Sequence, residues 1–124
     1  RGLHLQMGEA SQAKLVRVVK GEVIDVVVDL RPSSDTYGKH FSVRLSAENN
    51  KQLFIPRGFA HGFVSLAEES IFAYKCDNYY NPKAEAGIRY NDATLQIDWH
   101  LPNEKLIVSE KDLALPSFKE FTNG

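Results

Sequence analysis

A single cysteine, a single methionine and a single tryptophan occur in 124 residues, and these shortages restrict what the chain can be. Cys76 has no internal disulfide partner and falls in an alternating run. It therefore reads as a small buried hydrophobe in a protein of a reducing, cytoplasmic setting. Long apolar runs are missing too. Nothing approaches the roughly 18 residues of a membrane span, and the first residues are neither the apolar core of a signal peptide nor an Arg-rich transit segment. Charge of one sign is also lacking. Fifteen Lys and Arg against sixteen Asp and Glu give a net charge of −1, without the basic footprint that a nucleic-acid surface requires. No internal repeat or low-complexity tract is visible. What remains is one soluble domain over residues 1–118, long enough for a real core, and a short frayed tail over 119–124.

The patterning is that of strands almost throughout. Residues 15–20 and 23–30 alternate on either side of a tight Lys20-Gly21-Glu22 turn. In the second run Val23, Asp25, Val27 and Asp29 share one face, and Ile24, Val26, Val28 and Leu30 share the other. Further strands are expected over 39–45, 52–55, 63–66 and 71–77, separated by turn residues such as Arg31-Pro32-Ser33-Ser34-Asp35. A short helical or 3₁₀ segment is expected to start at Ser109 and to end before Pro116. Many short strands with Gly and Pro turns argue for an all-β sandwich or barrel.

Two histidine-bearing segments stand out, Arg1-Gly2-Leu3-His4-Leu5-Gln6 and Ile55-Pro56-Arg57-Gly58-Phe59-Ala60-His61-Gly62-Phe63. On different strands of one small β fold, His4 and His61 can converge on one cavity. Metal-binding barrels usually carry His-x-His and a Glu on one hairpin. Here Gln6 follows His4 and that Glu is missing, which argues against a metal site and for acid–base or binding roles. Lys14 fits a solvated edge-strand charge as well as an oxyanion stabiliser. Phe72, Tyr74, Cys76 and Asn78 share one face, and a phenol facing inward there is either structural or a proton donor.

Taken together, these blocks resemble the dTDP-4-dehydrorhamnose 3,5-epimerase family. Those that carry the resemblance are Arg1-Gly2-Leu3-His4-x-Gln6, Lys14-Leu15-Val16-Arg17-Val18-Val19-x-Gly21-Glu22-Val23, Leu45-Ser46-Ala47-Glu48-Asn49 and Ile55-Pro56-x-Gly58-Phe59-Ala60-His61-Gly62-Phe63. Tyr74-Lys75-Cys76-x-x-Tyr79-Tyr80, Gly87-Ile88-Arg89-Tyr90-Asn91-Asp92, Ile97-Asp98-Trp99 and Ser109-x-Lys111-Asp112 continue it to about Pro116. The resemblance implies a jelly-roll, cupin-like double-stranded β-helix barrel that acts without metal or other cofactor. The implied substrate is a dTDP-4-keto-6-deoxyhexose and the implied assembly a homodimer. Both C3 and C5 flank the C4 ketone, so each C–H is acidified. Inversion needs a base, an opposed acid and a stabiliser for the enolate oxygen.

Carried over by position, the resemblance assigns His4 as base, Asp112 as the carboxylate that orients it, Tyr74 as proton donor and Lys14 as enolate stabiliser. Arg1, Gln6, His61 and Tyr79 fall to substrate binding, with Arg1 on the diphosphate and Tyr79 near the nucleotide. Leu5 and Arg57 depart from the usual aromatic and acidic residues. Relatives also carry a segment ahead of Arg-Gly-Leu-His that supplies strands crossing to the partner subunit. For its absence here a fragment, the preferred reading, competes with an incomplete gene model and a natural short paralogue. Two other readings remain open: a non-catalytic dTDP-sugar-binding barrel, and a single-centre epimerase or ketoisomerase on a related sugar.

Overall fold

Alternation of apolar and polar residues over short spans, broken by turns, folds the described residues into eight strands in two antiparallel sheets. The coordinates, a computed structural model, describe residues 1–123. The strands are β1 (His4–Gln6), β2 (Lys14–Lys20), β3 (Glu22–Asp29), β4 (His40–Ser46), β5 (Gln52–Ile55), β6 (Phe59–Ser65), β7 (Ile71–Cys76) and β8 (Glu85–Gly87). Two short helices follow, α1 (Glu110–Leu113) and α2 (Phe118–Asn123). One sheet runs β4-β3-β6-β1-β8 and the other β5-β2-β7. The chain crosses between sheets at Gly21, whose φ of +84° suits glycine and whose missing Cβ leaves room for the Glu69 carbonyl. This is the expected jelly-roll, cupin-like architecture.

The two faces of β3 are each buried, against different partners. Val23 and Val27 join Val16, Val18, Leu45 and Ile55 between the sheets. Ile24, Val26 and Val28 pack on the other side with Leu3, Ile88, Leu95 and Trp99. That outer layer is built by the irregular C-terminal segment, so the five-stranded sheet is covered on both sides.

Three expectations need correction. The strand expected over 63–66 begins at Phe59, because the Pro56-Arg57-Gly58 turn is complete before it and Phe59, Ala60 and His61 already pair with β3. Cys76 is exposed rather than buried, since its face of β7 opens onto a cleft instead of the core. Of the residues expected as a frayed tail, 119–123 belong to α2, held because Phe118 and Phe121 pack on the outer core cluster, while Gly124 lies outside the described residues.

Candidate active site

One end of the space between the sheets is not filled by apolar side chains. The cleft there has a volume of about 540 Å³ and takes residues from both walls. His4, Gln6, His61 and Glu85 come from the five-stranded sheet, and Lys14, Phe72, Tyr74 and Cys76 from the three-stranded one. Alternation on β2 turns Lys14 inward with Val16 and Val18, and leaves Leu15, Arg17 and Val19 outside. Arg17 does not line the cleft.

His4 and His61 are direct partners across the β1–β6 ladder, so their side chains emerge on the same face. His4 Nε2 lies 2.6 Å from Asp112 Oδ1. Asp112 reaches it from α1, where Ser109 caps the helix by accepting from the Asp112 N–H. The second carboxylate oxygen of Asp112 accepts the Gly2 N–H at 3.1 Å. Burial works to raise the Asp112 carboxyl, but the Gly2 N–H and the His4 imidazole outweigh it and hold it below the usual range. A carboxylate only accepts, so His4 Nε2 carries the hydrogen and Nδ1 keeps its lone pair. Nδ1 is 3.8 Å from Glu85 Oε1, beyond hydrogen-bond reach.

His61 repeats this arrangement with a different aspartate. Its Nε2 lies 2.8 Å from Oδ2 of Asp25, which is fully buried on β3. Phe63 and Phe72, stacked on each other with centroids 4.4 Å apart, lie to one side of the imidazole at 6.1 and 5.9 Å. Burial pushes the Asp25 carboxyl up, against the opposing pull of His61 and of the Lys14 charge. At the rim, Glu85 accepts from Tyr80 Oη and from Lys111 Nζ, each at 3.0 Å. Desolvation works to raise its carboxyl, but these two bonds hold it below the ordinary value.

An imidazole on one wall and a phenol and a lysine on the other are groups of the kind that proton transfer on two faces of one substrate requires. The model of a family described as dTDP-4-dehydrorhamnose 3,5-epimerase matches residues 1–120. The chain belongs to this family. It is 54% identical over 113 residues to the dTDP-4-dehydrorhamnose 3,5-epimerase of Methanothermobacter thermautotrophicus, covering 90% of this chain and 60% of the relative. The crystal structure of the epimerase from Elizabethkingia anophelis superposes with a TM-score of 0.96 at 54% identity, covering 97% of this chain and 66% of that one. A dTDP-6-deoxy-D-glucose-3,5-epimerase from Legionella pneumophila, solved with dTDP-4-keto-L-rhamnose, gives 0.91 at 49% identity, covering 96% and 62%. The chain therefore spans between 60% and 66% of the length of these relatives.

Of the eight residues carried over from the dTDP-4-dehydrorhamnose 3,5-epimerase family, seven line the cleft: Arg1, His4, Gln6, Lys14, His61, Tyr74 and Tyr79. Asp112 stands behind His4, buried at 3% exposure. Gln6 is engaged by the main chain on both ends of its amide, donating to Ala10 and Tyr79 carbonyls and accepting the Asn81 N–H. That makes it a clamp for the segment carrying Tyr79 and Tyr80. Tyr74 is 61% exposed, open to the cleft rather than enclosed by apolar neighbours.

Sequence reasoning missed Asp25, Glu85, Tyr80 and Lys111 as neighbours of the site. For Asp25 a signal existed, a carboxylate on the same strand face as Val23 and Val27. Glu85 had none, because β8 is only three residues long and shows no periodicity. Among the described residues, no cluster of three or more His, Cys, Asp or Glu is placed to hold a metal ion, and no helix is long and apolar enough to cross a membrane.

Proposed function

We propose that this cleft epimerises C3 and C5 of dTDP-4-keto-6-deoxyglucose, giving dTDP-4-keto-L-rhamnose for dTDP-L-rhamnose biosynthesis. The observation that carries the reading is the opposition of His4 and Tyr74 on facing sheets across one cleft. Inversion requires proton removal on one face of a carbon and delivery on the other. His4 Nδ1 takes the proton from carbon, and the C–H electron pair moves to the C4 oxygen as an enolate. Lys14 stabilises that oxygen as a point charge. The tyrosine hydroxyl then returns a proton from the opposite side, and the carbonyl reforms. Asp112 fixes the His4 tautomer and stabilises the imidazolium, the role an aspartate plays in hydrolase triads. Arg1, His61 and Tyr79 bind the nucleotide sugar, and no cofactor takes part.

The protein works in the cytoplasm as a homodimer. In support, Leu15, Phe54 and Phe41 are exposed at 38%, 62% and 56% on strands β2, β5 and β4, the last two at sheet edges. Light scattering coupled to size exclusion is expected to give twice the chain mass, and a clean monomer would count against the dimer.

Activity is tested with dTDP-4-keto-6-deoxyglucose in D₂O, following deuterium uptake by NMR. Exchange at C3 and C5 supports the 3,5-epimerase. Exchange at one carbon alone would replace it with a single-centre enzyme, and binding without exchange with a non-catalytic barrel.

A further inference from the structure

Asp25 is a carboxylate set in the core between the sheets. It is fully buried, and among the described residues its Oδ1 has no hydrogen-bond partner. Its immediate neighbours on that strand face are Val23 and Val27, where an apolar residue would pack without desolvating a charge; Asp29, farther along the face, is paired with Arg31. A buried carboxylate paired on one oxygen only is retained at a cost in stability. The fold therefore does not explain it.

Its one partner does. A carboxylate accepts and cannot donate, so Asp25 Oδ2 holds the hydrogen of His61 on Nε2. Phe63 and Phe72, stacked on each other, pack against one side of the ring. The nitrogen left over is Nδ1, with its lone pair, on a residue that lines the cleft. A lone pair in that place calls for a hydrogen-bond donor on the ligand. In a nucleotide sugar the neutral donors near the reacting ring are its hydroxyls.

We propose that Asp25 is a positioning residue that locks His61 as a hydrogen-bond acceptor for a hydroxyl of the bound sugar. This rests on the reading of the cleft as a nucleotide-sugar site. It gives the two histidine–aspartate pairs different tasks: Asp112–His4 moves protons, and Asp25–His61 recognises the sugar. A site built to pair a hydroxyl also discriminates against ligands that lack one, since the acceptor is then left buried and unpaired.

The test compares dTDP with dTDP-glucose, which carries the sugar hydroxyls but no ketone, by calorimetry on this chain and on Asp25→Asn. The wild-type chain is expected to bind dTDP-glucose more tightly than dTDP. Asp25→Asn is expected to keep its affinity for dTDP and to lose about tenfold for dTDP-glucose, the size of one hydrogen bond. An equal loss for both ligands, or no loss for either, would overturn the proposal. Nitrogen-15 NMR of the wild-type imidazoles gives a readout that needs no variant. His61 is expected to carry its proton on Nε2 alone, and a protonated Nδ1 would overturn the assignment. Failure of the functional reading looks different: the chain would then bind neither dTDP nor dTDP-glucose, whatever the His61 tautomer.

Discussion

His4 and His61 stand opposite each other on adjacent strands, each held at Nε2 by its own buried aspartate, Asp112 at 2.6 Å and Asp25 at 2.8 Å. The two carboxyls nevertheless shift in opposite directions. Asp112 has the Gly2 N–H on its second oxygen and is held low. Among the described residues Asp25 has no such donor, and burial pushes it up. One chemical pair set in two environments acquires two sets of properties, the usual route by which a site assigns different roles to like groups.

Replacing the base should remove the chemistry and leave the fold. His4→Ala is expected to lower deuterium exchange at both carbons by at least about 10²-fold, with an unchanged circular dichroism spectrum. Asp112→Asn should cost a comparable factor through loss of the fixed tautomer. Exchange at the wild-type rate in His4→Ala would remove His4 from the role of base.

Tyr74→Phe separates proton removal from proton return. Some exchange should survive, because His4 still ionises the carbon, while net formation of the inverted sugar falls by about 10²-fold. Unchanged product formation, read by NMR of the sugar protons, would assign the donor elsewhere.

Asp29 tests stability away from the cleft. It is buried and accepts from Arg31, Ser34 and Thr36, and the Arg31 guanidinium above all holds its carboxyl well below the usual range. Asp29→Ala should lower the unfolding free energy by about 2 kcal/mol in urea, with dTDP affinity unchanged. Because the folded-state values of Asp29 and Asp112 are depressed, their contribution is complete above the ordinary carboxylate value of about 3.9. It is lost as pH falls through the lower folded values. Stability of Asp29→Ala should therefore fall less steeply than wild type on acidification below that point. Parallel pH curves would contradict the assignment.

Gly87 pairs with His4 across the β1–β8 ladder. A Cβ there would collide with the Leu3 carbonyl oxygen and lie 3.1 Å from the Leu115 side chain. Gly87→Ala should cost about 1–3 kcal/mol and displace β8, with exchange falling because His4 and Glu85 lose their register. A variant of wild-type stability and rate would show that β8 yields freely.

Much of this was legible in the residue pattern. Period-2 alternation over 23–30 assigns Asp25 and Asp29 to the face of Val23 and Val27, and β3 has that geometry. Strand β8 and α2 were not legible as elements, and β1 was expected as a strand only because it carries His4, without bounds. Three residues show no period, and α2 exists because Phe118 and Phe121 find the outer core. Cys76 misled for a related reason. Alternation reveals which residues share a face, but not whether that face meets a core or a cleft.

Sequence alone determined the strand-rich class, the faces of the long strands and the motifs that carry the family resemblance, because all of these are encoded locally by side-chain period and turn chemistry. The pairing of His4 with Asp112 across 108 residues was an expectation of the family resemblance, whereas only the tertiary structure decided that His61 meets Asp25 across 36. Pairing of β3 with β6 brings Asp25 to His61, and docking of α1 brings Asp112 to His4; the surroundings of each carboxylate then decide which is held low and which is raised.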